Sequence, residues 1–574
     1  MERRLLLVFA LTFLVIIISQ PFLKKYLPQA PPASPAQSQP QPSQAQAVAA
    51  PAAATAAPLN VAGKQATAEA DTVIENEVYR ITFTNRGAQV KSWVLKKYDN
   101  EQRKPLDLVH SVAAQKYGLP LGLWTYDETL RNKLNTALYV MDSKHPAGAE
   151  NGREIFTAPT EISFEYADTD VAVRKTIRFN HSYAIDVQTS VTSKGTPVTA
   201  FLVWPAGFGD QATLASYTAS QIERQSGSDV ERLAIKKVSG GGTVPGPFDW
   251  AGVTDQYFAA VFLPNDPANT ALVTLRNSLD VPKNWKDPKS ETTKIDVLGA
   301  AVGTLGGPTS ERVFVGPKSL QVLESVHVPT ITGASQDLRA LINFGFFHYI
   351  ARPLFLWLKW THEKIVPNWG WAIAIQTLII NLVLLPLRFS SMRSMLKMQR
   401  IQPQMKAIQA KYAKYSMRDP RKQEMNKELM ELQRQAGVNP VGGCVPMLIQ
   451  IPFLFAYYGM LGSAIDLRHA SWLWIHDLSA PDPVYLLPVL FVASMFFSQR
   501  MTPQAGMDPA QQKMMTFMMP LMMGFISFNL ASGLCLYWAE GNLIGIVQQA
   551  IMNRTGLGRE MRELAAKRAR KKDK

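Results

Sequence analysis

The chain has few of the residues that cross-link a domain or hold a metal ion. Its 574 residues include two cysteines, Cys444 and Cys535, and both lie inside apolar runs. The long middle region has none, which excludes a disulfide framework there in any compartment. The sequence also lacks the spacing of a zinc site, a P-loop or a dinucleotide fingerprint, so we predict neither a metal ion nor a cofactor.

Charge is scarce as well, and it is unevenly placed. Charged residues make up 18% of the chain, apolar residues make up 47%, and the formal net charge is +15. The apolar residues are concentrated at the two ends, and basic residues flank the apolar runs. This arrangement favours contact with a membrane surface over nucleic-acid binding.

The N-terminal region joins a hydrophobic run to a low-complexity segment. Residues 1–23 hold a short basic start and an apolar run, without a small-x-small cleavage site at its end. A retained transmembrane anchor is therefore favoured over a cleaved signal peptide. Residues 24–71 are rich in Pro, Ala, Gln and Ser and are predicted to form a flexible linker.

Between residues 72 and 332 apolar and polar residues alternate with the period of a β-strand. Tyr79, Ile81 and Phe83 fall on one face, and a turn sequence follows at 85–87. Recurrence of the pattern predicts a large all-β sandwich built from antiparallel hairpins. Nothing pairs its scattered histidines with a nucleophile, so a binding or scaffolding domain is favoured over an enzyme.

Apolar runs dominate the remainder of the chain. Residues 333–366 have helical spacing with scattered charge, which predicts an amphipathic helix along the membrane interface, with a domain-capping helix as the alternative. Five runs near the ~20 residues that span a bilayer follow. They lie at 368–387, 442–462, 484–499, 513–530 and 533–550, and with the N-terminal anchor they make six predicted spans.

The distribution of charge predicts how these spans are oriented. Residues 388–437 contain twelve Lys and Arg against four Asp and Glu, and residues 554–574 contain nine against three. The loop at 463–483 has one basic residue against three acidic ones. The positive-inside rule therefore places both termini and 388–437 in the cytoplasm, and the β domain on the other side of the membrane.

The predicted chain is thus multidomain, with an all-β domain, a polytopic α-helical membrane core and a cytoplasmic helical hairpin. Its parts are an N-terminal anchor at 1–23, a linker at 24–71, a β-sandwich at 72–332, an interface helix at 333–366, span 2 at 367–387, the hairpin at 388–438, spans 3–6 at 439–553 and a basic tail at 554–574.

Polar residues inside the predicted spans indicate the position of a candidate functional site in the membrane core. Thr377, Asn381 and Gln450 share the predicted inner half of the bilayer. Each alone fits a helix–helix contact, but together, and beside the helix breaker Pro452, they suggest a hydrated cavity open to the cytoplasm. Six methionines within 514–523 add a soft apolar wall that suits varied hydrophobic segments.

Several ordered motifs resemble the YidC membrane protein insertases, relatives of the mitochondrial Oxa proteins. They are NWGWAIAI at 368–375, NPVGGCVPMLIQIPFLFAYY at 439–458, LWIHDLSAPDP at 473–483, DPAQQKMMTFMMP at 508–520 and SGLCLYW at 532–538. The resemblance implies the Gram-negative type with a periplasmic β-super-sandwich, a cytoplasmic hairpin and a five-helix core. That core is expected to hold a groove open to cytoplasm and lipid, with Thr377, Gln450, Pro452 and Trp538 at groove-lining positions.

The sequence departs from the family pattern at one position. The family usually carries an arginine inside the groove, five residues before the proline that is Pro386 here, and Asn381 occupies that position. The nearest basic residue, Arg388, lies seven residues further on, two helical turns along roughly the same face. Either Arg388 supplies the charge that captures acidic substrate tails, or hydration by Asn381 and Gln450 suffices.

The resemblance implies an inner-membrane insertase and chaperone without covalent chemistry. Its expected partners are nascent membrane proteins, the Sec translocon, anionic phospholipids, and the ribosome through the basic hairpin and tail. A small-solute transporter would show inverted internal repeats, and we find none. A membrane-tethered carbohydrate-active enzyme would need paired carboxylates in a cleft of the β domain, which a sequence neither shows nor excludes.

Overall fold

The computed structural model describes residues 63–560 and residue 563, except for 144–147, 151–152, 212, 285–286, 288, 329, 331–335, 416–418, 438–444, 502–513 and 557. The predicted anchor at 1–23 lies outside the described residues, as do most of the predicted linker and of the basic tail. The last residues of the predicted linker already belong to the β fold. Lys64 and Ala167 exchange two backbone hydrogen bonds, with N–O distances of 2.8 and 2.9 Å.

The first half of the described chain is built almost entirely from strands. The apolar face predicted at 79–83 is confirmed, because Tyr79, Ile81 and Phe83 are fully buried. Four short helices join the strands: α1 Ser111–Tyr117, α2 Glu128–Thr136, α3 Leu214–Thr218 and α4 Leu320–Glu324. The strands are β1 Asp71–Glu75, β2 Tyr79–Thr84, β3 Gln89–Asp99, β4 Pro105–Asp107, β5 Gly122–Trp124, β6 Val140–Ser143, β7 Gly148–Glu150, β8 Arg153–Thr157, β9 Thr160–Ala167, β10 Val171–Phe179, β11 Ala184–Ser193, β12 Thr196–Pro197, β13 Phe201–Trp204, β14 Gln221–Ser226, β15 Asp229–Ala234, β16 Gly242–Pro245, β17 Trp250–Thr254, β18 Phe258–Pro264, β19 Thr270–Pro282, β20 Thr292–Thr304, β21 Thr309–Pro317, β22 His327–Val328 and β23 Gln336–Asp337.

These strands form three large sheets and one two-stranded pair, β22–β23. The sheet orders are β4-β3-β2-β1-β8-β7, then β15-β14-β17-β18-β21-β11-β10-β9-β6 with β12 beside β11, and β16-β19-β20-β13-β5. Among the described strands every pairing is antiparallel except that of β1 with β8. The sequence analysis predicted antiparallel hairpins throughout. A parallel neighbour needs a long crossover connection, and the chain between β1 and β8 supplies one.

Aromatic side chains join the sheets across their inner faces. Phe83 of the first sheet lies 6.1 Å from Phe164 and 5.8 Å from Phe179 of the second, measured between ring centroids. Trp93 of the first sheet lies 6.4 Å from Trp204 of the third. Because one hydrophobic cluster contains residues of all three sheets, the sheets pack on a common core.

Two buried ionisable side chains lie on the inner face of the second sheet. Lys175 of β10 is fully buried, and its Nζ donates hydrogen bonds to the carbonyl oxygens of Ala88, at 2.8 Å, and Leu121. Glu311 of β21 is 1% exposed, and neither of its carboxyl oxygens has a hydrogen-bond partner among the described residues. Burial lowers the pKa of Lys175 to about 7 and raises the pKa of Glu311 to about 8.

The second half of the described chain is helical. Its helices are α5 His348–Lys364, α6 Trp369–Val383, α7 Leu385–Lys411, α8 Arg421–Gln435, α9 Val445–Ser463, α10 Leu486–Met501, α11 Met519–Ser527, which follows a π-helical turn at Met514–Met518, and α12 Ser532–Arg554. The amphipathic helix predicted at 333–366 is α5, preceded by a 3₁₀ turn at Leu338–Leu341.

Membrane-spanning length is reached in one place within the described residues. No single described helix is both long and apolar enough to cross a bilayer, but α6 and α7 taken together meet the criterion of length and composition, with a bend of 48° between them. The helices Leu486–Met501 and Met514–Ser527 are apolar and shorter. The six-span topology therefore stays a prediction.

The helices of the predicted cytoplasmic hairpin, α7 and α8, contact each other through the Glu428 carboxylate and the Lys422 side chain. Glu428 accepts hydrogen bonds from Lys411 Nζ and Tyr412 OH, at 2.8 Å each. Lys422 of α8 also donates to the Tyr412 carbonyl oxygen at 2.8 Å. These contacts join the helices, and the cytoplasmic location of the pair stays a prediction.

The loop between α9 and α10 is docked on the β domain by one buried arginine. The Arg468 side chain is 4% exposed and forms an ion pair with Asp210, and its Nη1 donates to the Asp99 carbonyl oxygen at 2.6 Å. Nearby, Gln256 donates to the Gly462 carbonyl oxygen at 2.7 Å. Arg103 donates to the His476 carbonyl oxygen at 2.9 Å. The loop and the last turn of α9 are thus also held by two side chains of the β domain, Arg103 and Gln256.

Candidate functional site

The site begins at the bend between α6 and α7. Asn368 caps α6, because its side chain accepts a hydrogen bond from the Trp371 amide at 3.2 Å. The helix ends at Val383 with Leu384 as its C-cap, and Pro386 follows in the first turn of α7. Proline lacks the amide hydrogen that an unbroken helix would use, which explains a bend at this point. Arg388 consequently lies one turn into α7.

Thr377 and Asn381, both predicted as site residues, are buried on α6 at 0% and 5% exposure. Thr377 Oγ1 donates to the Ile373 carbonyl oxygen at 2.7 Å. Asn381 Nδ2 donates to the Thr377 carbonyl oxygen at 2.8 Å. Each polar side chain is therefore satisfied partly by its own helix, and Asn381 Oδ1 remains available as an acceptor.

Arg388 donates a hydrogen bond to this free acceptor. Its Nη2 donates to Asn381 Oδ1 at 2.9 Å, and its Nη1 donates to Gln548 Oε1 of α12 at 2.6 Å. Gln548 in turn donates from Nε2 to the Asn381 carbonyl oxygen at 3.1 Å. The half-buried guanidinium is held by two side-chain amides, and no carboxylate takes part in these hydrogen bonds. Its positive charge is therefore not cancelled by the two side chains that hold it.

A second polar contact joins α6 to α9. Tyr457 OH donates to Gln376 Oε1 at 2.6 Å, and Gln376 Nε2 donates to the Leu354 carbonyl oxygen of α5 at 3.0 Å. The Tyr457 ring stacks on Tyr537 of α12 with centroids 4.1 Å apart. Gln376, Tyr457 and Gln548 were not among the predicted site residues. Polar residues inside apolar runs were the signal for them.

The remaining predicted site residues lie away from the Arg388 hydrogen bonds. Gln450 is exposed and Pro452 is half-buried, and both belong to α9, which continues through Pro452 without a break. Trp538 is half-buried and packs on Phe491 of α10, with ring centroids 5.1 Å apart. The structure thus brings Thr377, Asn381 and Arg388 together and leaves Gln450, Pro452 and Trp538 on neighbouring surfaces.

Two buried polar atoms of α12 lack hydrogen-bond partners within the described part of the chain. They are Trp538 Nε1 and Glu540 Oε2. In addition, the described residues contain no group of three or more His, Cys, Asp or Glu side chains that suits a metal ion. The polar groups of this region thus include the buried Glu540 carboxyl and the Trp538 indole N–H beside the Arg388 guanidinium, amides and hydroxyls.

Comparison with known proteins identifies the family. A family model described as the 60Kd inner membrane protein matches residues 360–559, and one described as the YidC periplasmic domain matches residues 71–357. The membrane protein insertase YidC of Syntrophus aciditrophicus is 31% identical over 96% of this chain and 100% of its own length. The chain belongs to the YidC family.

A second curated relative and a solved structure are also similar to this chain. The YidC insertase of Haemophilus influenzae is 30% identical over 96% of this chain and 97% of its own. A crystal structure described as an active YidC insertase with the first transmembrane domain resolved covers 86% of this chain and 95% of its own, at 20% identity and a TM-score of 0.32.

Membership of the YidC family confirms the resemblance drawn from the sequence motifs. It also confirms that the chain belongs to a family of insertases and not to a family of enzymes. The chain is an inner membrane protein with a β-rich periplasmic domain followed by a helical region.

Proposed function

We propose that this chain inserts membrane proteins into the inner membrane through a polar groove, and that Arg388 supplies the positive charge of that groove. The observation that carries the proposal is the placement of the guanidinium against Asn381, at 2.9 Å. Asn381 stands where the family usually has its arginine, so Arg388 delivers charge to nearly the same place from two turns further along the chain. Gln450, Pro452 and Trp538 extend the groove walls, and Thr377, buried at 0% exposure, supports the α6 wall from inside.

The physical role of the charge is to lower the cost of moving an acidic substrate tail. An aspartate at the centre of a bilayer costs ~2.5–3.5 kcal/mol on insertion scales. A hydrogen bond to a charged group contributes roughly 1.5–3 kcal/mol. Arg388 therefore offsets much of that cost while the substrate's apolar segment moves into lipid, where its burial drives insertion at about 25 cal/mol per Å². No nucleotide or covalent step is needed.

The wider cellular setting follows from the same proposal. Nascent membrane proteins are the substrates, and the chain acts alone or beside the Sec translocon. The basic surface of α7, α8 and the tail at 554–574 contacts anionic phospholipids and the ribosome. The proposed membrane topology has six spans, and both termini lie in the cytoplasm.

Reconstitution in lipid vesicles tests the proposal. The substrate is a short single-span protein with an acidic tail, made in parallel with the acidic residues changed to amides, and insertion is scored by protease protection. We define the tail preference as insertion of the acidic substrate divided by insertion of the amide substrate. Arg388→Ala should lower the tail preference about tenfold or more, which corresponds to the loss of a charged hydrogen bond.

A relocated charge provides the control. Asn381→Arg combined with Arg388→Ala puts the arginine at the family's usual position and should restore the tail preference. An unchanged tail preference in Arg388→Ala, or equal loss for both substrates, would contradict the role given to Arg388. Absence of insertion by the wild-type chain above empty vesicles would contradict autonomous insertase activity.

A further inference from the structure

The contacts of Arg388 with α12 carry an inference that rests on the proposed function and goes beyond it. Gln548 holds the guanidinium from one side through its Oε1 atom, 2.6 Å from Nη1. Gly545, nearly one turn earlier on α12, has no side chain and so lets Nη1 approach the helix closely. A Cβ atom at Gly545 would lie 3.1 Å from Nη1. The guanidinium thus rests in a cradle, defined here as Gly545 and Gln548.

We infer that this cradle sets the preference of the chain for acidic substrate tails by fixing where the charge of Arg388 lies. Arg388 starts on α7, beyond the bend, and a flexible four-bond side chain has many rotamers there. The cradle selects the one that points back toward Asn381. Gly545 and Gln548 are therefore positioning residues, which act on the substrate through Arg388.

The chemistry of the cradle explains why the charge stays available. Gln548 offers an uncharged amide oxygen, so it orients the guanidinium without neutralising it. A carboxylate at 548 would pair with the guanidinium through charge-assisted hydrogen bonds and compete with the acidic tail of the substrate. Gln548 also donates to the Asn381 carbonyl oxygen at 3.1 Å, which fixes the orientation of its amide group.

The first test changes the charge of the cradle and keeps its shape. In the reconstituted full-length chain, Gln548→Glu should lower the tail preference about tenfold, because a carboxylate beside Arg388 removes the advantage of an acidic tail. Gln549→Glu is the matched control, since Gln549 is the next residue on α12 and bonds to Asn553 at 2.9 Å. It should leave the tail preference close to that of the wild type.

The second test changes the space of the cradle. Gly545→Ala should lower the tail preference about two- to tenfold, the range expected for weakening one hydrogen bond. Gly541→Ala is the matched control, because Gly541 lies one turn earlier and its Cβ would meet only Asn381 Nδ2, at the ordinary distance of 4.0 Å. Both variants add one methyl group to the same helix.

A double variant separates positioning from a general effect on the fold. In the Arg388→Ala background, Gly545→Ala should have no further effect on the tail preference, because the guanidinium that it displaces is gone. Further loss of preference there would overturn the inference. Wild-type tail preference in both Gln548→Glu and Gly545→Ala would also overturn it, while loss of preference in Arg388→Ala would leave the proposed function standing.

Discussion

The buried carboxyl group of Glu311 predicts a specific dependence of stability on pH. Glu311 lies on the inner face of the ten-stranded sheet, 1% exposed and without a hydrogen-bond partner among the described residues. Burial raises its pKa from an ordinary value of 4.5 to about 8. A carboxyl pKa that is higher in the folded state favours folding at low pH, and this contribution is lost as pH rises toward 8.

The magnitude follows from the difference between the two pKa values. Each pH unit above 4.5 lowers the free energy of unfolding by about 1.4 kcal/mol, until the folded carboxyl itself ionises near pH 8. Stability at pH 7 should thus be roughly 3 kcal/mol lower than at pH 4.5 because of this one group. Glu311→Gln removes the titration. It should flatten the pH profile and make the β domain more stable than the wild type at pH 7.

The measurement is pulse proteolysis of the detergent-solubilised full chain in urea, between pH 5 and 7. Lys175, with a pKa of about 7 in the folded state, is protonated at pH 5 and half deprotonated at pH 7, and it titrates in both the wild type and Glu311→Gln, so the comparison between them isolates Glu311. Glu154→Gln is the control, since Glu154 is an exposed strand residue, and it should follow the wild-type profile. An identical pH profile for wild type and Glu311→Gln would refute the reasoning.

Three further changes test other parts of the fold. Lys175→Met should abolish the rise in β-domain stability between pH 8.5 and 10 that a buried lysine with a lowered pKa produces, as measured by the same pulse proteolysis. Arg468→Met should leave the Asp210 carboxylate buried and unpaired at a cost of about 3–5 kcal/mol, measured as faster hydrogen exchange at 462–479. Arg103→Met should cost under about 1 kcal/mol, and equal effects of the two variants would contradict the docking role of Arg468. Gly370→Ala places a Cβ 2.2 Å from the Trp472 ring and should lower the melting temperature in detergent, while Gly462→Ala meets open space and should not.

Local patterns in the sequence predicted much of the β domain. Alternation placed Tyr79, Ile81 and Phe83 on one face, and the structure buries all three. The same alternation aligns Lys175 with the apolar residues of β10, and Lys175 is indeed buried. The period of a strand determines which side chains share a face. It does not reveal which sheet each strand joins, and the parallel pairing of β1 with β8 shows this.

Part of the candidate site was predictable because the helical period determines which side chains share a face. Asn381 and Arg388 are seven residues apart, two helical turns, and the structure joins their side chains at 2.9 Å. Gln548 lies 160 residues beyond Arg388 and comes near it only through the packing of α12 on α6 and α7. Tyr457 meets Gln376 across 81 residues for a similar reason. Contacts of this kind depend on the tertiary structure, which no local period encodes.

The bend before α7 has a mechanical consequence. From Arg388 to Arg400 the helix is uninterrupted by proline, so these residues lie on one stiff rod about 18 Å long. At its far end Arg400 Nε donates to Glu560 at 2.9 Å, beyond the end of α12. Both ends of the rod are therefore bonded to the C-terminal part of the described chain, one end to Gln548 in α12 and the other to Glu560 beyond it. Rotation of the Arg400 end of this segment about the helix axis would therefore also move the Arg388 guanidinium.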